Sequence, residues 1–164
     1  STGTDGITIS GTVKMIISDE NSDDSIFGSE GNDNITGEAG DDKLFGNSGD
    51  DTIKGSAGDD KVLGSHGNDS IEGKISNDIL RGDDSNDLAG GGDGNDTQTG
   101  RGGNDKLYGG IGDDKILGDD DNEEITGDAG HDKLYGGIGD DIIYGNEGND
   151  QITGNAVNDT LFGS

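Results

Sequence analysis

The chain has 164 residues, 37 acidic side chains against ten basic ones for a formal charge of −27, and only 24% hydrophobic residues, with no Trp, Pro or Cys. So little apolar surface does not offset the entropy of ordering the chain, which excludes an ordinary globular core. The charge repels nucleic acid and anionic membrane surfaces and makes divalent cations the natural counter-charge, while the lack of cysteine excludes disulfides and thiolate metal sites.

Residues 1–21 carry no repeat. Ile7 and Ile9 alternate with polar residues, and Val13 to Ile17 is the most apolar stretch of the chain. Its longest apolar segment, Met15-Ile16-Ile17, is too short for a transmembrane helix or a signal-peptide core. The segment is predicted to be an N-terminal cap strand, or a linker, for the region that follows.

From Ser22 the chain repeats every nine residues without a break, in sixteen blocks such as GNDNITGEA, GDDKLFGNS and GDDTIKGSA. The third position is Asp in fifteen blocks, with Glu123 the exception. The fifth is Ile, Leu or Val in fourteen, the seventh is Gly in all sixteen, and the first is Gly in eleven. Internal repetition at a fixed period is the mark of a solenoid.

These blocks resemble the repeats-in-toxin (RTX, haemolysin-type) calcium-binding nonapeptide G-G-x-G-x-D-x-U-x, where U is a large aliphatic residue. The resemblance spans residues 22–164. It implies an all-β fold, a right-handed parallel β-roll (a β-helix-type solenoid) with two nonapeptides per turn and about eight turns, so that residues eighteen apart stack. It also implies Ca²⁺ as the cofactor, and a secreted or cell-surface bacterial protein that folds on meeting extracellular calcium.

The residues support that reading position by position. In a three-residue strand the middle side chain faces one way and its neighbours the other, so Ile26, Ile35, Leu44, Ile53, Val62 and Ile71 are predicted to point inward. Lys43, Lys61, Lys115 and Lys133 are predicted to point outward. The turn glycines Gly31, Gly40, Gly49, Gly58, Gly67, Gly94, Gly103, Gly112, Gly130, Gly139 and Gly148 suit positive φ or close backbone approach. A core one residue thick does not hold such a stack alone.

The third-position acids supply what is missing. The predicted metal ligands are Asp24, Asp33, Asp42, Asp51, Asp60, Asp69, Asp78, Asp87, Asp96, Asp105, Asp114, Glu123, Asp132, Asp141, Asp150 and Asp159. Adjacent turns lie about 4.8 Å apart, where two carboxylates repel by roughly 1 kcal/mol in water and more at lower dielectric. A cation between them reverses the sign. Ca²⁺, which takes six to eight oxygens in flexible geometry, suits carboxylates plus turn carbonyls better than Mg²⁺ does; Zn²⁺ is disfavoured without Cys or clustered His. Fourteen stacked pairs, twelve of them Asp–Asp, predict twelve to fourteen ions, close to neutralising the formal −27.

The pattern weakens between Lys74 and Gly102. Ser76 and Ser85 replace a turn glycine, and Ala89 and Gln98 occupy inward positions. Either Gln98 finds a hydrogen-bond partner or the strand shifts, in which case Leu88 could turn inward; the stretch is read as degenerate repeats or as a hinge. On the outer faces Phe27, Phe45 and Leu63 are expected to stack, as are Leu117 with Tyr135 and Tyr144 with Phe162. The outward threonines Thr36, Thr99, Thr126 and Thr153 are interrupted by Lys54, Glu72, Leu117 and Tyr135, which argues against an ice-binding ladder. His66 and His131 lie in blocks seven apart with no nucleophile–base constellation, so no enzyme activity is expected. Two readings follow: a calcium-folded structural module, or a subunit of a calcium-dependent extracellular assembly that stacks through uncovered ends. Self-association or flanking domains are the expected partners besides calcium.

Overall fold

The structure, a computed structural model, describes residues 6–8, 16–19 and 21–163. Among them there are eighteen strands and no helix, hence none long and apolar enough to cross a membrane. Nine strands form one parallel sheet: β1 (Gly6–Thr8), β3 (Ser25–Phe27), β5 (Lys43–Ser48), β7 (Lys61–His66), β9 (Ile79–Asp84), β11 (Thr97–Gly102), β13 (Lys115–Asp120), β15 (Lys133–Ile138) and β17 (Gln151–Ala156). The other nine form the second: β2 (Ile16–Asp19), β4 (Asn34–Ala39), β6 (Thr52–Ala57), β8 (Ser70–Ile75), β10 (Leu88–Asp93), β12 (Lys106–Ile111), β14 (Glu124–Ala129), β16 (Ile142–Glu147) and β18 (Thr160–Phe162). Odd strands lie on one side and even strands on the other, so the chain winds as a solenoid of about eight turns with eighteen residues per turn.

The register follows that spacing strictly. Ile35 pairs with Ile53 and Ile53 with Ile71 in one sheet, Leu44 with Val62 and Val62 with Leu80 in the other. On the outer faces the rings of Phe27 and Phe45 stack with centroids 4.6 Å apart and planes 3° from parallel; Tyr144 and Phe162 do the same at 4.8 Å. Leu63 continues the first column, and Leu117 pairs with Tyr135. The centroid distances reproduce the inter-strand spacing of a β-sheet.

The strands are longer than the three residues predicted. From β4 to β17 each runs through six, because pairing resumes beyond the seventh-position glycine: Glu38 pairs with Ser56 and Ala39 with Ala57, while Gly37 is skipped. The eighth residue adopts positive φ, as at Glu38 (80°), Ser56 (98°) and Lys74 (95°). That turns the chain as a bulge does while leaving the ladder to continue.

Third, fifth and seventh positions all face inward. The fifth-position residues Ile26, Ile35, Leu44, Ile53, Val62, Ile71, Leu80, Ala89, Leu107, Ile116, Ile125, Leu134 and Ile143 are buried and form one continuous cluster, with Ile152 partly buried at its end. Gln98 is fully buried too, and its strand keeps register with Leu80 and Ile116. Its Nε2 donates to the carbonyl of Tyr108 at 2.6 Å, while Oε1 has no partner. The shifted register does not occur: Leu88 stays outward and 44% exposed. One orphaned amide oxygen costs about 1–3 kcal/mol, less than unpairing a whole strand.

Ahead of the repeat, β1 pairs with β3 and β2 with β4, so each sheet gains one strand. Residues 1–5, 9–15 and 20 lie outside the described residues, and the expectations for Ile9 and for Val13 to Met15 fall there.

Candidate metal centre

Each third-position acid ends a turn, and its side chain folds into the interior rather than toward solvent. From Asp24 to Asp141 these residues are at most 3% exposed, Glu123 included; Asp150 and Asp159, in the last turn, are half-buried. Charged carboxylates are rarely so buried unless paired or bound to metal.

One oxygen of each aspartate is spoken for. The backbone N–H of Asp24 donates to Oδ1 of Asp42 at 2.8 Å, that of Asp33 to Oδ1 of Asp51 at 2.7 Å, and that of Asp42 to Oδ1 of Asp60 at 2.9 Å. The same bond recurs at thirteen of the fourteen stacked pairs. The missing link is between Asp105 and Glu123.

The second oxygen is not spoken for. Oδ2 of Asp42, Asp51, Asp60, Asp69, Asp78, Asp87, Asp96, Asp105, Asp114, Asp132, Asp141 and Asp150 is buried without a hydrogen-bond partner, and so are both carboxylate oxygens of Glu123. Asp33 differs, since Ser29 donates its N–H to Oδ2 at 2.6 Å and its hydroxyl at 3.2 Å. Asp24 accepts the Ser22 hydroxyl at 2.9 Å on Oδ1. An unpartnered carboxylate oxygen in the interior is costly unless something positive reaches it.

The seventh-position glycines make room for that oxygen. Their φ is not positive; what matters is space. A Cβ at Gly28 would stand 2.8 Å from Oδ2 of Asp33, and one at Gly118 2.6 Å from Oε2 of Glu123. The first-position glycines serve the backbone: the eleven named above take φ between 116° and 153°, and the ten from Gly40 to Gly148 have no room for a Cβ against the preceding turn.

A second ladder, missed from sequence, runs beside the first. The second-position side chains accept the N–H of the residue eighteen further on: Asn32 from Asp50 at 3.0 Å, Asp41 from Asp59 at 2.9 Å, Asn95 from Asp113 at 2.8 Å. His131 joins it through Nδ1, which accepts the N–H of Asn149 at 2.9 Å. The third-position ladder points up the stack and the second-position ladder down it. The near-invariant Asn or Asp before each third-position acid was the available signal, though as turn chemistry it did not announce a stacking role.

Electrostatics match the geometry. Burial raises the carboxyls of Asp51, Asp60, Asp69 and Asp105 to about 6, those of Asp78 and Asp114 to about 7, and that of Asp87 to about 8. The backbone N–H bond opposes the rise, and nearby carboxylate charge adds to it. Glu123 is pushed furthest, to about 9, by burial and then by the Asp141 carboxyl, with smaller contributions from Asp105 and Asp121.

Among the described residues no three His, Cys, Asp or Glu side chains converge on one point. An ion here therefore draws on few carboxylates and completes its shell with oxygens of other kinds; the carbonyl of Gly55, for instance, lies 2.9 Å from where a Cβ of Gly37 would stand. An all-oxygen donor set with orphaned carboxylate oxygens and cleared space fits a hard cation of flexible coordination, which is Ca²⁺.

The comparisons agree. The family model of the RTX calcium-binding nonapeptide repeat (4 copies) matches residues 18–53, 36–70, 45–80, 63–98, 90–122, 99–134 and 126–161. No curated protein matches the chain. With stacked aspartates on a β-solenoid built from these repeats, the molecule is a calcium-binding structural module: the chain belongs to the RTX calcium-binding nonapeptide-repeat family.

Proposed function

We propose that this module belongs to a secreted or cell-surface bacterial protein and acquires its fold on meeting extracellular calcium. The third-position acids are the ligands, each giving its second oxygen to an ion shared with the adjoining turn, at twelve to fourteen positions along the roll. The observation that carries the reading is the row of buried, unpartnered Oδ2 atoms from Asp42 to Asp150. Without counter-charge, those oxygens and the formal −27 oppose compaction; with calcium bound only by the folded state, binding free energy becomes folding free energy. The reading assigns no catalytic step to the chain, and treats β1 and β2 as a cap on the first turn.

Circular dichroism during a calcium titration tests it. A coil spectrum in chelator, a cooperative β transition with Ca²⁺ and little response to equal Mg²⁺ are expected. A β spectrum that survives exhaustive chelation at neutral pH would overturn the reading.

A second reading is self-association in an extracellular assembly. It draws on apolar side chains exposed along the length of the roll, such as Ile75, Ile111 and Ile138, which are 56%, 62% and 61% exposed. Light scattering separates the two, since a calcium-loaded sample that stays monomeric at high concentration excludes the assembly.

A further inference from the structure

The aspartate ladder is uniform except at one place, and several independent features coincide there. Every other link passes a backbone N–H to a carboxylate eighteen residues on, yet Asp105 passes none to Glu123, although Asp87 donates to Asp105 at 2.8 Å and Glu123 itself donates to Asp141 at 2.9 Å. The extra methylene of Glu123 carries its carboxylate past the neighbouring amide. Both its oxygens are then buried with no N–H donor reaching them, beside the Asp141 carboxyl, whereas the aspartates from Asp42 to Asp114, and Asp132, Asp141 and Asp150, each have one such oxygen. Glu123 is 2% exposed. Oε2 takes the place against Gly118 that Oδ2 takes elsewhere, so the second free oxygen is additional to the usual arrangement.

The turn around it is altered as well. Asp121 replaces the first-position glycine, is held at φ 78°, and accepts the N–H of Gly103 at 3.3 Å through Oδ2. It places one more negative charge beside Glu123 than the turns that keep glycine there.

A carboxylate with two free oxygens can bind one ion through both. Ca²⁺ accepts such bidentate carboxylates and expands to seven or eight ligands; Mg²⁺, held to a small octahedron, does not accommodate them. Calcium affinity also rises with the charge of the ligands. We propose that Glu123, with Asp141 on the next turn and Asp121 adding charge, forms a distinct calcium site that fills ahead of the uniform aspartate positions and discriminates most strongly against Mg²⁺. The inference rests on the reading that third-position acids hold calcium.

Calorimetric titration of the full chain with Ca²⁺, repeated in excess Mg²⁺, tests it on the wild type, Glu123→Asp and Glu123→Gln. In the wild type a first step of one or two ions is expected, at least about tenfold tighter than the remainder and persisting in Mg²⁺. Both substitutions remove that step, and Glu123→Asp, which matches the other fifteen blocks, retains the bulk of the binding. Glu123→Asp also closes the ladder, so the Asp105 amide gains protection from hydrogen exchange in the calcium-loaded roll. A tight step that persists in both variants, or its absence from the wild type while the other positions bind calcium, overturns the inference and leaves the calcium-folding reading intact. If the chain binds no calcium at all, both fall together.

Discussion

Gly37 and Asp42 are packed so closely that a Cβ on the glycine would overlap Oδ2 of the aspartate and stand 2.9 Å from the carbonyl oxygen of Gly55. The glycine is thus part of the cavity wall around a ligand oxygen. Gly37→Ala is expected to destabilise the calcium-loaded roll by about 1–3 kcal/mol, the usual range for overpacking, and to weaken calcium binding at the turns that carry it. Gly90→Ala is the control: it sits at a sixth position, its Cβ would meet nothing within 4 Å, and its effect on thermal stability should be small. Equal losses in the two variants would refute the steric account.

Protons compete with calcium for the same oxygens. Aspartates in an unfolded chain titrate near 3.9, whereas in the metal-free roll Asp51, Asp60, Asp69 and Asp105 titrate at about 6, Asp78 and Asp114 at about 7, and Asp87 at about 8. A folded-state value above the unfolded one contributes stability that is fully present below the unfolded value and is lost as pH rises through the folded one. Calcium-stripped protein should therefore show its greatest β content near pH 4 and lose it between about pH 5 and 8. Calcium must displace those protons, so its apparent affinity falls as pH falls. Circular dichroism of the stripped protein from pH 4 to 9 checks both; a metal-free chain least ordered at pH 4 would contradict the burial of these groups.

Gln98 offers a test of the thin core. Its nitrogen bonds Tyr108 while Oε1 is buried without a partner, and a buried unsatisfied acceptor costs about 1–3 kcal/mol. Gln98→Leu restores the residue type found at other fifth positions and is expected to raise calcium-loaded stability by about 1 kcal/mol, read as a shift in urea midpoint at unchanged m-value. A lower midpoint would mean that the bond to Tyr108 outweighs the orphaned oxygen.

The nine-residue period fixed most of this architecture in advance, because in a solenoid one spacing sets strand pairing, register and stacking together. The inward row from Ile26 to Ile143 and the pairing of Phe27 with Phe45 follow from it directly. Interactions that depend on side-chain direction were harder to read. Asn32 and Asp41 look like turn formers in any sequence, and only the stacked backbone turns their carbonyl and carboxylate oxygens toward the next coil. The six-residue strands were hidden for a related reason: residues such as Lys74 and Arg101 give no sign that they hold φ of 95° and 85° while pairing continues around them.

That conformation leads to a last test. Among the described residues fifteen non-glycine positions hold positive φ, and Val157 (85°), in place of a first-position glycine, is the least suited because it is β-branched. Its side chain is 68% exposed, so little packing is lost on removing it. A left-handed conformation costs an L-residue roughly 1–2 kcal/mol, against about 0.4–1 kcal/mol by which glycine favours the unfolded chain. Val157→Gly should therefore yield a small net stabilisation, concentrated in the last turn. Hydrogen exchange resolves it locally: the Thr160 amide, which donates to the Asp141 carbonyl at 2.7 Å, is expected to exchange more slowly, while amides of β7 and β9 do not change. Val157→Ala separates backbone from side chain, since alanine drops the branched group but retains a Cβ. If alanine slows exchange at Thr160 as much as glycine does, the strain lies in the valine side chain and not in the left-handed backbone.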